Sequence, residues 1–354
     1  MHTPEPSGGP SGPRGSERPL SEVYDTALLD LDGVVYAGGE AVPHAVAALR
    51  AARAGGMRLA YATNNAARTP STVAAHLTEL GVPAAPADVI TSAQALARLI
   101  ADAVPPGAPV LAIGAEGLRA ALAERGLRVV DSADDGPAAV AQGYGGPDMP
   151  WERLMEAAVA VGRGVPWYVS NTDLTIPTAR GIAPGNGAAV EVVRIATRWS
   201  RDAPEPRVAG KPLPPMHRES ILRTGARRPL VVGDRLDTDI EGAHAGGVDS
   251  LLVLTGVTDP VALLAARQPH RPSYVARDLR GLLAPHPPVT GEAASGFGCA
   301  GWRAGVSGSG EELELEGAGD PVDGLRALCA AAWTQGGAGA CVLDPAKALA
   351  RLGL

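Results

Sequence analysis

The sequence predicts an α/β protein built on a parallel sheet, interrupted by a second α/β unit and followed by a small appendage. Three observations carry this. Short apolar runs alternate with helix-period segments in a βαβα pattern with short connections, the mark of a doubly wound sheet. The alternation continues through a second unit over about 83–206 and then returns to its first register. Beyond about position 283, a stretch rich in Pro, Gly, Ala and Ser sets off the rest of the chain.

Residues 1–22, rich in Pro, Gly and Ser, carry no apolar stretch for a signal peptide and read as a disordered tail. Residues 26–29 form an apolar strand that runs straight into Asp30. Over 43–54, Val46, Leu49 and Ala52 recur at helical spacing, and Gly55-Gly56 is a stop. A second strand over 58–63 ends in Thr63-Asn64-Asn65. Thr69-Pro70 then supplies a cap and a first-turn proline for a helix to about Leu80. In the second unit, strands fall at 110–113, 140–143 and 167–170, with helices at 116–125, 151–162 and 188–198. The first register resumes with strands at 207–209, 230–233 and 250–254 and helices at 215–224 and 237–245. This divides the chain into a sheet core over 23–85 and 207–284, an inserted unit over 86–206, a linker over 285–298 and a small C-terminal domain over 299–354. That last domain holds strand-like 312–316 and an apolar helix near 325–333.

Hydrophobic residues make up 45% of the 354-residue chain, which suits a large core. A net charge of −7 argues against nucleic acid or an anionic membrane as the main partner. No apolar run reaches the length of a membrane span. Three cysteines (Cys299, Cys329 and Cys341) lack metal-ligand spacing, and an odd count without a signal peptide points to a reducing cytoplasm. One skew is more telling. Among 31 basic residues only Lys211 and Lys347 are lysine, and the only asparagines are Asn64, Asn65, Asn171 and Asn186. Abundant Ala, Gly, Arg and Pro fit a coding bias against AT-rich codons. Under it, Lys or Asn marks a place where Arg or Asp cannot serve. All but Lys347 fall in the motifs below.

Ligands of an open parallel sheet bind at the strand C-termini. Four predicted strand ends carry polar groups: Asp30-Leu31-Asp32-Gly33, Thr63-Asn64-Asn65, Gly210-Lys211-Pro212 and the run Gly233-Asp234 to Asp239. Carboxylate oxygens suit a hard divalent cation, while an ammonium and hydrogen-bond donors suit a phosphoryl group. Asp-x-Asp-Gly alone is a weak signal. Four such motifs in order, each at a strand end, are a strong one.

In that order and spacing the motifs resemble those of the haloacid dehalogenase-like phosphatases. The large insert between the second and third motifs resembles the 4-nitrophenylphosphatase-type subclass with its α/β cap. A narrower similarity is to the actinobacterial glycerol-3-phosphate phosphatases, whose C-terminal domain has been likened to a truncated GNAT-type acetyltransferase. The resemblance implies a Rossmann-like core, an inserted α/β cap, a C-terminal α+β appendage and Mg²⁺-dependent hydrolysis of a small phosphomonoester. It makes Asp30 the nucleophile that becomes an aspartyl-phosphate and Asp32 the general acid and base. Asp30, the Asp32 carbonyl and Asp234 would hold Mg²⁺. Asp239 would hold metal-bound water or Lys211. Thr63 and Asn64 would bind phosphoryl oxygens, and Lys211 would offset charge between Asp30 and the phosphate. Glycerol 3-phosphate is the leading substrate. Phosphoglycolate, pyridoxal phosphate or a nucleotide are the alternatives, ahead of phosphoryl transfer as in a mutase or a silent binding module. A homo-oligomer stays open.

Blander readings apply elsewhere. Asn65 reads equally as a turn residue, and Asp237 as a helix N-cap. In the insert, Asn171 and Asp173 are candidates to face the substrate, while Asn186 between glycines fits an αL turn or a helix cap. Trp167 and Tyr168 read as core and Lys347 as a surface residue. The C-terminal domain lacks an acetyl-CoA loop, so packing, oligomerisation or regulation is its expected part.

Overall fold

The structure, a computed structural model, describes residues 12–178, 180–335 and 343–353. They gather into two compact units. One takes the chain up to Ala37, Ala41–Arg58 and everything from Arg228 onward; the other takes Gly38–Glu40 and Leu59–Arg227.

In the first unit the strands Tyr274–Ala276, Asp249–Val253, Pro229–Gly233 and Thr26–Leu29 lie side by side in that order, all parallel. Every residue of Thr26–Leu29 is buried, as a strand covered on both faces requires. The expected linker is instead the start of a four-stranded antiparallel meander: Val289–Glu292, Gly296–Cys299, Trp302–Val306 and Leu313–Gly317. Gly291 and Gly296, at φ 106° and 79°, sit opposite each other's strands, and a Cβ on Gly291 would come 2.2 Å from the Gly296 carbonyl oxygen. Glycines chosen for that close approach are what make the segment read as a linker.

The helix Pro321–Gln335 packs on this meander and on the parallel sheet at once. Leu325, Leu328 and Cys329 share one apolar cluster with Ile240, Leu252, Leu263 and Val275. Polar bonds pin the joint. Trp333 Nε1 donates to the Leu263 carbonyl at 3.1 Å, and its ring lies 5.4 Å from the Arg271 guanidinium. Arg326, 7% exposed, donates to the Val275 carbonyl, to His286 Nδ1 and to Asp323. Cys299 and Cys329 are buried free thiols; Cys341 lies outside the described residues.

The disordered tail also needs correcting. From residue 12 on it is packed: Arg14 N donates to the Ser273 carbonyl, Ser16 bridges to His286, and Leu20 is fully buried in the short helix Leu20–Val23. Low hydrophobicity misleads here because the segment is held mainly by backbone bonds and by the Arg14–Asp249 ion pair.

The second unit holds a five-stranded parallel sheet in the order Arg207–Val208, Trp167–Val169, Ala139–Gln142, Pro109–Ile113 and Arg128–Val130. The strand expected at 207–209 in the returning core register therefore belongs to the insert's sheet, paired with Tyr168 and Val169. Two residues are too few for their pattern to choose a sheet, and Arg207 lies 5.7 Å over the Tyr168 ring. Trp167 and Tyr168 are buried, as expected. In the same unit Tyr61–Thr63 pairs in parallel with Val89–Thr91, and Thr175–Thr178 pairs antiparallel with Gly181–Pro184. One ion-pair hub ties three helices together. Fully buried Glu219, on Pro214–Thr224, accepts from Arg98 on Ser92–Ala101, from Arg125 at the end of Glu116–Glu124, and from Arg223. Burial pushes its carboxyl up, but the arginines outweigh that and hold it below the usual range.

Candidate active site

In the first unit, polar groups gather where two neighbouring parallel strands end. Asp30 follows Thr26–Leu29, and its N–H donates to the Val232 carbonyl at 2.8 Å, which locks the two strand ends together. The chain then turns on the Leu31 carbonyl, which accepts from Val34, Val35 and Tyr36, with Gly33 at φ 80°. Asp32 stays exposed on this turn, bridged to Tyr36. Asp234 follows Pro229–Gly233 and is 1% exposed. The Val257 N–H donates to its Oδ2 at 2.7 Å, and the Thr258 N–H to its carbonyl at 3.2 Å.

Two glycines make room for the Asp234 carboxylate. A Cβ on Gly33 would come within 2.6 Å of its Oδ2, and one on Gly256 within 1.9 Å. Asp239, also 1% exposed, lies in the π-helical turn Leu236–Ile240 and accepts from the Arg235 N–H at 3.2 Å. Asp237 is inside this turn and not at its cap. It pairs with Arg235 instead, which holds its carboxyl low against the upward push of burial.

The outcome is one cluster in which Asp30, Asp234 and Asp239 bring carboxylate oxygens within 4.8 Å of one another. At that separation each pair of charges repels by roughly 3 kcal/mol for an effective dielectric constant near 20. A hard cation with oxygen ligands relieves this, and three carboxylates plus main-chain carbonyls fit Mg²⁺. Asp239, expected from the resemblance to hold metal-bound water or Lys211, thus brings a carboxylate oxygen into the cluster itself.

In the second unit the remaining motif residues form a hydrogen-bonded knot. Thr63, buried at the end of Arg58–Thr63, accepts from the Asn65 N–H at 3.1 Å. Asn65 is a turn residue whose Oδ1 accepts from the N–H groups of Ala67 and Arg68. Asn64 grips Lys211 at both ends: its Oδ1 accepts from the Lys211 N–H at 2.8 Å, and its Nδ2 donates to the Lys211 carbonyl at 3.2 Å. The same Nδ2 reaches Asp173 Oδ2 at 3.3 Å. The Lys211 ammonium donates to the Ala62 carbonyl at 3.2 Å. The Asn64 carbonyl accepts from Ser92 Oγ at 2.6 Å and from Asn171 Nδ2 at 2.8 Å. Asn186 Nδ2 donates in turn to the Asn171 carbonyl at 2.7 Å.

Asn186 is the first residue of the helix Asn186–Thr197 and not an αL turn. Glycine is required at 210, where a Cβ would meet the Ser170 carbonyl at 2.4 Å and Asn64 Oδ1 at 2.6 Å. Ser92 and the loop before Thr258 escaped the sequence reading. The Thr91-x-x-Gln94 capping box, which the structure forms, was the available signal for the first. Lys347, 80% exposed, pairs with Glu312 on the surface.

Residues 27–128 match the haloacid dehalogenase-like hydrolase family, 208–282 a HAD-hydrolase-like family, and 299–354 a GCN5-related N-acetyltransferase-like domain. The D-glycerol 3-phosphate phosphatase of Mycobacterium tuberculosis is 41% identical over 89% of this chain and 87% of its own. The acid sugar phosphatase of Staphylococcus haemolyticus is 36% identical over 72% of this chain and 94% of its own. Among solved structures, glycerol phosphate phosphatase from M. tuberculosis in complex with magnesium superposes with a TM-score of 0.83 at 39% identity, covering 95% of this chain and 99% of that one. A thermostable NPPase double mutant from Geobacillus stearothermophilus gives 0.64 at 32% identity, covering 72% and 96%. No described helix is long and apolar enough to cross a membrane.

Proposed function

The chain belongs to the haloacid dehalogenase-like hydrolases as a phosphatase, and from that premise we propose that it hydrolyses glycerol 3-phosphate to glycerol and phosphate. The observation that carries the chemistry is the cluster of Asp30, Asp234 and Asp239, which fits Mg²⁺. The substrate is carried by the likeness to the M. tuberculosis phosphatase along 89% of the chain.

In this reading Asp30 attacks phosphorus, the ester oxygen leaves, and an aspartyl-phosphate forms on Asp30. An anionic carboxylate needs no prior deprotonation for this at neutral pH. Asp32, exposed on the turn after Asp30, gives a proton to the departing alkoxide and takes one from the water that hydrolyses the acyl-phosphate. Asp30, the Asp32 carbonyl and Asp234, with Asp239 beside them, would hold Mg²⁺, whose positive charge would screen the phosphoryl oxygens from the nucleophile. Thr63 and the Asn64 loop bind phosphoryl oxygens, and Lys211 offsets the charge that builds on them. Residues 23–85 and the chain from after the Arg207–Val208 strand to 284 act as catalytic core and 86–208 as cap, with Asn171 and Asp173 in the cap. The C-terminal domain acts by packing, through the apolar cluster that its helix Pro321–Gln335 shares with the parallel sheet.

The test is a phosphate-release screen of purified protein with Mg²⁺ over polyol, sugar, nucleotide and vitamin phosphates. Glycerol 3-phosphate is expected to give the highest kcat/KM. A higher value for a sugar phosphate would replace the substrate and favour the likeness to the acid sugar phosphatases. Transfer to a sugar without net phosphate release would replace the reaction.

A further inference from the structure

We propose that Asn186, Asn171 and Asn64 form a relay of carboxamide donors that positions Lys211, linking the first turn of the Asn186–Thr197 helix to the lysine. The proposal rests on the reading of Lys211 as the group that offsets phosphoryl charge. Its steps are Asn186 Nδ2 to the Asn171 carbonyl at 2.7 Å, Asn171 Nδ2 to the Asn64 carbonyl at 2.8 Å, and the two-ended grip of the Asn64 side chain on the Lys211 backbone. Asn171 and Asn186 are 4% and 1% exposed, so water does not replace a lost donor.

The relay gives new roles to residues of the knot. The amide hydrogens of Asn64 point to the Lys211 carbonyl and to Asp173, so its side chain works on the lysine and not on the phosphate. Asp173 accepts from Asn64 through Oδ2, and its N–H is held by Asn171 Oδ1 at 3.2 Å. Asn186, read from the sequence as a turn or cap, becomes the outermost link.

Chemistry explains why asparagine stands at each link in a chain that otherwise avoids it. All three side chains use their Nδ2 as a donor to a carbonyl. Aspartate has the same shape, but it would present an anionic oxygen to that carbonyl and lose the bond. The acceptor end serves the two inner links, where Asn64 Oδ1 and Asn171 Oδ1 accept from the Lys211 and Asp173 N–H groups, while Asn186 Oδ1 has no hydrogen-bond partner among the described residues. Serine is too short to span the same distance, and glutamine is one methylene too long for a buried site.

Asn171→Asp tests the relay in two backgrounds, wild type and Lys211→Ala, with 4-nitrophenyl phosphate, Mg²⁺ and the full chain. A displaced lysine is expected to lower kcat in the wild-type background by about tenfold or more, with KM nearly unchanged, since misplacement near 1 Å costs roughly a hundredfold. In the Lys211→Ala background the same substitution should change kcat less than about twofold, because members of one unit are non-additive. The drop in Tm should be equal in both, which separates positioning from general destabilisation. Asn186→Ala removes the outermost donor and carries the same comparison should Asn171→Asp not fold. An equal fold-loss of kcat in both backgrounds overturns the relay alone. Wild-type activity of Lys211→Ala removes the role of Lys211 and the relay with it.

Discussion

Around Asp234 three carboxylates are held within 4.8 Å, whereas around Asn64 a similar crowd of polar groups is built mainly from neutral carboxamides, with one ammonium and the single carboxylate of Asp173. The first cluster is electrostatically costly by itself and is completed by a cation. The second is held together within the protein by direct donor-to-acceptor bonds. One region thus stores charge for chemistry, while the other spends directional bonds on geometry. Substitutions that look alike on paper, Asp to Asn and Asn to Asp, should act in opposite senses in the two places.

The largest effect expected is that of Asp30→Asn, which leaves the cluster's shape and removes the attacking group. Turnover should fall by more than about 10⁴-fold, the scale on which loss of a nucleophile acts. Retention of a few per cent of wild-type rate would reduce the carboxylate cluster to a cation site and break the contrast. Asp32→Asn comes next and sharpens it. Loss of the acid should cost glycerol 3-phosphate about a hundredfold or more in single-turnover rate. The cost for 4-nitrophenyl phosphate should be much smaller, because that alcohol leaves without a proton. Equal losses on both would make Asp32 structural.

Lys211→Arg should lower kcat by at least about tenfold although the charge is kept. A guanidinium is broad and planar and seeks paired acceptors, where the ammonium is a compact point charge. Lys347→Arg, at an exposed pair with Glu312, is the silent control. If both changes were harmless, lysine at 211 would be incidental. The smallest effect is a stability one. In chelator, Asp239→Asn should raise Tm by roughly 2–4 °C per kcal/mol of repulsion relieved, while Asn64→Asp lowers it. A fall in Tm for Asp239→Asn without metal would mean that the cluster is already neutralised within the protein.

The two regions also differed in how far the sequence revealed them. Asp30 and Asp234 were legible because each ends an apolar strand, and strand ends of a parallel sheet collect ligands. Thr63-Asn64-Asn65 and Gly210-Lys211 were legible as motifs, and the rarity of Lys and Asn flagged them again. The bonds among them were not, since Asn64 meets Lys211 across 147 positions and a carboxamide gives no sign of which end it uses. The strand Arg207–Val208 was assigned to the wrong sheet because its pattern is too short to identify a neighbour. Glycines at 291 and 296 disguised a hairpin as a linker, and a polar N-terminal segment held by backbone bonds passed for disorder.

The apolar cluster that joins the Pro321–Gln335 helix to Leu252, Leu263 and Val275 has a consequence for how the chain is made. Synthesis is vectorial, and domains generally fold as units as they emerge. Asp30 leaves the ribosome well before the C-terminal helix, yet the sheet that carries it cannot bury its outer face until residues 325–333 follow. From the synthesis of Leu252, Leu263 and Val275 until residues 325–333 emerge, the nascent chain therefore exposes these side chains as a sticky surface. Stalled nascent chains ending before 320 should bind a holdase chaperone and be cut rapidly by protease, whereas chains that have extruded past 352 should resist both. Equal protease resistance at the two lengths would show that the sheet closes without its helix.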